Sequence, residues 1–315
     1  MVFEMTKRGI ADTPNHSVQG LITDIKRFAV HDGPGVRTTI FLKGCSLHCV
    51  WCHNPEAIAL NPELMLYPER CIGCGTCFEV CPNGAHEVTE GGRVLHRELC
   101  IGCGICVEAC YAGALKMAGN KTTVADLIEV IRQDIPFYQV SGGGVTLSGG
   151  EPLVQPKFAR ELLQQCKEEG IHTALDTSGS VRWRVLETVL PYVDLVLYDL
   201  KHISPSRHRR YTGASNRLIL ENMKRLADCG VPVEVRMLVI PTINDSRPFI
   251  KRAAKFLASL DNITAVRLLA YHHLAGSKYR RLDKPDTSPE VAPPTDNQLQ
   301  RIAGWIRTYG LKVVL

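Results

Sequence analysis

The sequence has no long run of apolar residues, although apolar residues make up 45% of its 315 positions. No segment approaches the roughly 20 residues of a membrane-spanning helix, and residues 1–20 lack the apolar core of a signal peptide. There is also no basic run with interleaved aromatic residues of the kind that binds nucleic acid. The formal charge of +5 is small for this length. These absences predict a globular cytoplasmic protein without a membrane or nucleic-acid partner.

Thirteen cysteines need an explanation, because structural disulfides rarely persist in the cytoplasm. Eleven of them fall in three clusters between Cys45 and Cys110, and this spacing indicates metal ligation rather than disulfide bridging. The other two, Cys166 and Cys229, lie in helical patterns and are interpreted as small buried apolar residues.

Two of the clusters form an internal repeat. Residues 71–85 and 100–114 match at 10 of 15 positions, and each segment has the C-x2-C-x2-C-x3-C spacing of bacterial ferredoxins. Few apolar residues surround them, so we expect this unit to depend on its clusters for folding. The eight predicted ligands are Cys71, Cys74, Cys77, Cys81, Cys100, Cys103, Cys106 and Cys110.

The rest of the chain alternates strand-like and helix-like segments. The strand-like segments are 38–44, 144–150, 172–178, 194–200, 232–240 and 264–271, and a helix at 295–310 and a strand at 311–315 close the chain. This alternation predicts a parallel sheet, either in an open or partial (β/α) barrel or in a doubly wound fold. In both cases we expect ligands at the carboxyl ends of the strands.

The third cluster is a loop that carries Cys45, Cys49 and Cys52 directly after the first predicted strand. Three thiolates can hold three corners of an iron–sulfur cubane and leave the fourth iron open, as a catalytic metal site requires. The alternative is a zinc site or a structural cluster completed by a distant cysteine, either Cys166 or Cys229.

This loop, with Trp51 before its third cysteine, resembles the radical S-adenosylmethionine (SAM) superfamily. The next strand ends in SGGEP at residues 148–152, which resembles the methionine-binding motif of that superfamily. Gly149 and Gly150 would let the backbone approach the ligand, and Glu151 can accept a hydrogen bond from an ammonium group.

Five further segments narrow the resemblance to the glycyl radical enzyme activating family, which it covers from residue 20 onward. They are residues 28–45, 52–56, 175–179, 198–202 and 268–274. The resemblance implies a partial (β/α)6 TIM-like barrel at 20–65 and 119–315. It also implies an inserted ferredoxin-like domain at 66–118 and an N-terminal extension at 1–19.

The resemblance also implies roles for individual residues in the barrel. It places Asp32 beside the incoming glycine peptide. It implies a monovalent-cation site next to the SAM carboxylate at Asp176, Thr177 and Asp199. The positions expected to contact SAM are Lys201, Arg236 and His272.

In the insert, the usual crossing of ligands would give each cluster one cysteine from the other run. The first set would be Cys71, Cys74, Cys77 and Cys110, and the second would be Cys81, Cys100, Cys103 and Cys106. One departure from the ferredoxin pattern is that Pro82 follows Cys81 whereas Tyr111 follows Cys110.

The implied function is that of a radical SAM activase with three [4Fe–4S] clusters. It would cleave SAM reductively to a 5′-deoxyadenosyl radical, which abstracts a hydrogen atom from a glycine Cα of a partner glycyl radical enzyme. A reduced flavodoxin or ferredoxin would supply the electron. The two extra clusters could relay electrons, stabilise the fold or present a docking surface.

Two alternative functions remain at this point. One is a radical SAM enzyme that acts on a small molecule and uses the insert for auxiliary clusters. The other is a ferredoxin-type electron-transfer protein, although this function does not explain the three-cysteine loop followed by SGGEP.

Overall fold

The computed structural model describes residues 18–90 and 92–315. Its strands are β1 (Gln19–Ala29), β2 (Arg37–Leu42), β3 (Glu63–Leu66), β4 (His86–Thr89), β5 (Gly92–Leu95), β6 (Leu115–Ala118), β7 (Asn120–Thr123), β8 (Gly144–Gly149), β9 (His172–Thr177), β10 (Leu195–Asp199), β11 (Val233–Val239), β12 (Ile263–Ala270) and β13 (Val313–Val314). Its α-helices are α1 (Thr76–Glu79), α2 (Ile105–Glu108), α3 (Val124–Arg132), α4 (Ile135–Ser141), α5 (Pro156–Glu168), α6 (Trp183–Glu187), α7 (Pro205–Thr212), α8 (Arg217–Asp228), α9 (Arg247–Leu257), α10 (Gly276–Arg281) and α11 (Asp296–Arg307).

A nine-stranded sheet in the order β13-β12-β11-β10-β9-β8-β2-β1-β7 organises the molecule. The strands from β2 through β12 in this order, together with the short β13, pair in parallel. Their sequences are mostly apolar because helices cover one face and the barrel interior the other. The six predicted strands and the parallel arrangement are therefore confirmed, and the sheet remains open between β13 and β7.

The antiparallel part of this sheet was not predicted. β1 pairs antiparallel with β2, with Ile22 opposite Leu42, and β7 pairs antiparallel with the other edge of β1. The three-cysteine loop directly follows the strand that was predicted before it, but this strand is the second of the chain and not the first. β1 was missed because it is half exposed and carries Asp24, Lys26 and Arg27 in its second half.

The helices between the parallel strands form largely where their patterns predict them. Capping boxes fix two N-termini: Thr123 bonds with Asp126 at α3, and Thr295 bonds with Gln298 at α11. The helix-like sequence pattern at 184–193 does not form one continuous helix. It divides into α6 and a 3-10 turn at Leu190–Tyr192, because the proline at 191 cannot donate a helical hydrogen bond.

The segment with the ferredoxin repeat leaves the barrel through β3 and returns through β6. These two strands pair antiparallel, with Glu63 opposite Ala118, so the two connections lie side by side. The buried core of this segment is small and contains Leu64, Ala85, Leu95, Cys106 and Leu115. The predicted N-terminal extension lies outside the described residues up to position 17, and Gln19 already belongs to β1.

The main core packs helices α3, α5, α8, α9 and α11 against the sheet. Cys166 is fully buried in it, as predicted, whereas Cys229 is exposed at the end of α8, so its predicted burial is wrong. In the described part of the chain, no helix combines the length and the apolar character that crossing a bilayer would need.

Candidate active site

A cavity of about 310 Å³ opens where the parallel strands end at their carboxyl side. This is the edge at which ligands bind in barrels and open α/β sheets. Of the fourteen site residues predicted in the barrel, twelve line this cavity. They are Asp32, Cys45, Cys49, Trp51, Cys52, Gly149, Gly150, Asp176, Thr177, Asp199, Lys201 and Arg236.

Backbone hydrogen bonds join the three-cysteine loop to the glycine motif after β8. Gly150 N donates to Leu42 O (2.9 Å), and Glu151 N donates to Gly44 O (2.7 Å). A Cβ atom on Gly150 would lie 2.2 Å from Gly44 O, so this close approach requires glycine. Gly149 has φ +117°, a conformation that side chains disfavour. The tandem glycines therefore set the distance between the motif and Cys45.

The three thiols of the loop are poorly solvated. Burial raises the pKa of Cys45, Cys49 and Cys52 to about 11. Their thiolate forms need a positive partner in this environment, and metal ions supply one when they bind cysteine. Among residues 18–90 and 92–315, no three His, Cys, Asp or Glu side chains converge closely enough to hold a single metal ion.

Five charged side chains lie at the inner wall of the cavity. Arg236 Nη1 lies 3.4 Å from Asp176 Oδ2 and 3.9 Å from Asp32 Oδ1. Lys201 Nζ lies 2.8 Å from Asp199 Oδ2. Burial raises the pKa of Asp176 to about 6, although Arg236 opposes the rise. Burial disfavours the charged form of Lys201, but Asp199 and the nearby thiolates outweigh it and raise its pKa. The wall thus holds three carboxylates beside two cations.

Asp32 is held in place by residues that were not identified from the sequence. Thr39 Oγ1 donates to Asp32 Oδ2 (2.8 Å), and Thr146 Oγ1 donates to Asp32 O (2.6 Å). Arg37, which is fully buried, donates from Nε to Thr146 Oγ1 (2.6 Å) and from Nη1 to Pro34 O (3.2 Å). Burial lowers the pKa of Arg37 to about 10. Arg37 and Thr39 are spaced i, i+2 in β2 and therefore lie on one face of the strand, and this spacing was the available signal.

Glu151 is one of the two predicted residues that do not line the cavity. Its side chain is fully buried and accepts hydrogen bonds from Thr177 Oγ1 (2.7 Å), Ser178 Oγ (2.7 Å) and Ser178 N (3.0 Å). Burial raises its pKa, and the hydroxyl donors of Thr177 and Ser178 oppose the rise. The carboxylate therefore braces the end of β9 against the glycine motif.

His272 is the second residue outside the cavity wall. It is exposed, and its ring stacks on His53 with the ring centroids 4.2 Å apart. His53 Nε2 lies 3.1 Å from His272 O, and His53 itself lines the cavity. Because His53 directly follows Cys52, its position in the motif was the signal for its place in the site.

The cysteines of the insert sort into two groups around separate cavities. A cavity of about 330 Å³ is lined by Cys71, Cys74, Cys77 and Cys110. A smaller cavity is lined by Cys81, Cys100, Cys103 and Cys106. These are the two sets expected from ligand crossing, which brings the last cysteine of each run to the other group. In the second group, Gly102 lies close to Pro62, which directly precedes β3.

Comparisons with known proteins agree with this arrangement. Residues 100–252 match the family model of the radical SAM superfamily, residues 64–118 that of a 4Fe-4S dicluster domain and residues 31–81 that of a 4Fe-4S single cluster domain. The chain is 40% identical over 308 residues to a choline trimethylamine-lyase activating enzyme from Oleidesulfovibrio alaskensis, which covers 94% of this chain and 97% of that one. It is 42% identical over 285 residues to a trans-4-hydroxy-L-proline dehydratase activating enzyme from Clostridioides difficile, which covers 90% and 94%.

A solved structure supports the fold alone. A radical SAM methyltransferase from Sphaerobacter thermophilus superposes with a TM-score of 0.52 at 13% identity, covering 93% of this chain and 76% of that chain.

Proposed function

Because this chain belongs to the glycyl radical enzyme activating family of the radical SAM superfamily, we propose that its cavity binds SAM and one [4Fe–4S] cluster to form a glycyl radical in a partner enzyme. The enzyme is a SAM-dependent activase of a partner glycyl radical enzyme. The bound cluster and SAM supply a 5′-deoxyadenosyl radical, which abstracts a hydrogen atom from a glycine Cα of the partner. The observation that carries the assignment is the joint placement of three cysteines and the glycine motif in one cavity.

The residues present fit the proposed cluster. Cys45, Cys49 and Cys52 form a set of three buried thiols, and bound iron would supply the positive charge that their raised pKa values call for. Neither Cys166 nor Cys229 lines the cavity, so the described residues offer no fourth cysteine at this site. Such a set leaves one iron open, which is where the amino and carboxylate groups of SAM would bind.

The chain's own residues hold SAM by charge and by shape. Gly149 and Gly150 would let the SAM methionine moiety approach their backbone closely, because neither residue has a side chain in the way. Lys201 and Arg236 supply positive charge near the SAM carboxylate. We assign Glu151 the support of this motif rather than direct contact, since its oxygens already accept from Thr177 and Ser178. His272 contributes through its stack on His53.

The acidic residues at the inner wall have separate tasks. Asp32 faces the cavity and is held by Thr39 and Arg236, so it is placed to receive the partner's glycine segment. A monovalent cation beside Asp176, Thr177 and Asp199 would neutralise carboxylates that Arg236 and Lys201 only partly balance.

In this assignment the insert holds two further clusters through its two groups of four cysteines, which makes three [4Fe–4S] clusters in all. A reduced flavodoxin or ferredoxin supplies the electron. We place the reaction in the cytoplasm, where thiols stay reduced.

The two alternative functions are not favoured. Relatives that are 40% and 42% identical over nearly the whole chain are both activating enzymes, which favours a protein substrate over a small molecule and an enzyme over an electron carrier. The names of these two relatives refer to different partner enzymes, although both relatives are almost equally identical to this chain. Overall similarity therefore does not distinguish the partner, and genomic adjacency to a glycyl radical enzyme is the direct way to identify it.

The test is anaerobic reconstitution followed by iron and sulfide analysis and EPR spectroscopy with and without SAM. We expect about twelve irons per chain and a reduced signal that SAM alters. A variant with Cys45, Cys49 and Cys52 all changed to Ala should retain about eight irons and no response to SAM. About eight irons in the unchanged protein, without a response to SAM, would contradict the assignment.

A further inference from the structure

The outer surface of α7 carries an unbalanced positive charge. Residues 202–220 contain four arginines and no aspartate or glutamate. Arg207, Arg209 and Arg210 are exposed on α7, and we call these three residues the α7 basic face. In the part of the chain that the structure describes, none of the three guanidinium groups pairs with a carboxylate. This stretch alone accounts for most of the chain's formal excess of +5.

The positive charge near α7 also affects a buried histidine at the N-terminal end of the helix. His202 is buried beneath the start of the helix and accepts a hydrogen bond from Ser204 N at 2.9 Å. Burial is the main cause that lowers the pKa of His202 to about 4, and Arg207 and Arg252 contribute to this shift. Cations from α7 and from α9 therefore converge on this side of the barrel.

The C-terminal end of α7 is attached directly to the three-cysteine loop. His48 N donates to Thr212 O and Val50 N donates to Tyr211 O, each at 2.9 Å. Val50 directly follows Cys49 in the chain. A carrier bound at α7 would therefore lie one short helix away from a cysteine of the cluster site.

Packed side chains complete this connection. The Tyr211 ring lies 5.7 Å from the Trp51 ring, centroid to centroid. Cys49, Trp51 and Tyr211 belong to one apolar cluster, in which Trp51 is buried. Arg210 in turn lies over the Tyr211 ring at 5.6 Å. Continuous contact thus runs from the α7 basic face to Cys49.

We propose that the α7 basic face docks an acidic one-electron carrier protein and that the electron reaches the three-cysteine site through Tyr211 and Trp51. One electron leaves the reduced carrier, and the cluster held by Cys45, Cys49 and Cys52 gains it. This inference rests on the proposed function and adds the surface at which the electron for SAM cleavage enters the protein. The carrier would not need to use the insert, whose exposed residues include the uncharged Ile72, Ile101 and Tyr111.

Electrostatic attraction is suited to this task. A patch of one charge sign accelerates association with an oppositely charged partner by about 10- to 10³-fold, and it yields complexes that salt weakens. The complex can therefore form and dissociate quickly between electron transfers. An exposed cluster of unpaired arginines provides such a patch without the burial of a large apolar area.

The test compares two variants of the full, reconstituted chain. The first, R207Q/R209Q/R210Q, removes the α7 basic face and retains helix propensity, because Gln and Arg are similar in helices. The matched control, R301Q/R307Q/K312Q, removes three exposed cations from α11 and from the residue just before β13, at one edge of the sheet. Both variants lose three positive charges, so the comparison separates position from net charge.

The first measurement is the Kd of oxidised flavodoxin, determined by titration calorimetry at two ionic strengths. At about 0.01 M, where the Debye length is about 30 Å, we expect the α7 variant to bind about 10-fold or more weakly than the unchanged protein. At about 0.15 M, where the Debye length is about 8 Å, the difference should shrink. The control should stay within about twofold of the unchanged protein at both salt concentrations. Equal losses in the two variants, or no loss in either, would overturn the proposal.

The second measurement separates this inference from the proposed function. Glycyl radical formation is followed by EPR, with either photoreduced flavodoxin or dithionite as the electron source. We expect the α7 variant to be slower only with flavodoxin. An equal loss with dithionite would show that the face serves the glycyl radical enzyme instead, and would overturn the assignment to an electron carrier. Failure of the unchanged protein to cleave SAM with dithionite would contradict the proposed function itself.

Discussion

Replacing Gly150 by alanine is expected to separate the two loops that meet at the cluster end of the cavity. The added Cβ would lie 2.2 Å from Gly44 O and 2.5 Å from Ala57 O. Both of these atoms belong to the backbone, so no flexible side chain can turn away to make room. The glycine motif and the three-cysteine loop must therefore move apart by about 1 Å to restore ordinary van der Waals separation.

The magnitude of the effect follows from this displacement. Overpacking of this kind costs about 1–3 kcal/mol of stability. Gly44 directly precedes Cys45, and Glu151 N donates to Gly44 O, so the shift also moves the thiol relative to the SAM site. A misplacement of about 1 Å near reacting groups can lower a rate by about 10²-fold. We therefore expect a moderate loss of stability and a much larger loss of SAM cleavage.

The assay measures SAM affinity by calorimetry, SAM cleavage with dithionite and thermal unfolding on anaerobically reconstituted protein. Gly304→Ala is the control, because Gly304 is exposed on α11 with no atom near its added Cβ. That variant should gain up to about 1 kcal/mol, since alanine favours helix over glycine. If Gly150→Ala bound and cleaved SAM as well as the unchanged protein, the assigned packing of the two loops would be refuted.

Three further changes test neighbouring parts of the site. Asp32→Asn should lower the yield of glycyl radical per SAM cleaved by about 10-fold or more, because it disturbs the group that positions the partner's glycine, and EPR spin counts against methionine release measure this ratio. Since burial raises the pKa of Asp176 to about 6, its carboxylate loses charge as the pH falls through that value. The proposed monovalent cation next to the SAM carboxylate would then lose a negative partner, so SAM affinity should weaken from about pH 7 to about pH 5. Asp176→Asn should remove this pH dependence of SAM affinity in calorimetric titrations. Thr177→Val should cost about 1–3 kcal/mol in chemical unfolding, because Glu151 loses a buried donor. The exposed Thr308→Val should change stability by less than about 0.5 kcal/mol.

The parallel half of the fold could be predicted because its strands are covered on both sides. A strand such as Leu195–Asp199 is buried along most of its length and reads as a short apolar run between helical patterns. The antiparallel strands β7 and β1 gave no such signal. Asn120–Thr123 contains no apolar residue, and β1 alternates irregularly. Both are strands because a neighbour supplies hydrogen-bond partners, which is a tertiary effect that a local pattern does not carry.

The positions of the site could be predicted for a related reason. The motif residues follow different parallel strands, and the carboxyl ends of such strands meet at one edge, so Gly149, Asp176 and Arg236 had to converge. The residues that hold Asp32 in place were harder to predict from the sequence. Arg37 and Thr39 precede the cavity in the strand and act through the loop at Asp32, so only the folded structure brings them into contact.

The SGGEP motif did not determine the direction in which the Glu151 side chain points. Its position in SGGEP placed it at the SAM site, but a side chain at a sharp turn can point either towards the cavity or into the packed interior. Thr177, the last residue of β9, and Ser178, directly after it, offer two hydroxyl groups and an amide, and these donors compensate the burial of Glu151. Its backbone amide meanwhile binds Gly44 O. Glu151 thus joins β9, the glycine motif and the three-cysteine loop, so a change at this residue should alter the geometry of the cluster site even without a direct contact to SAM.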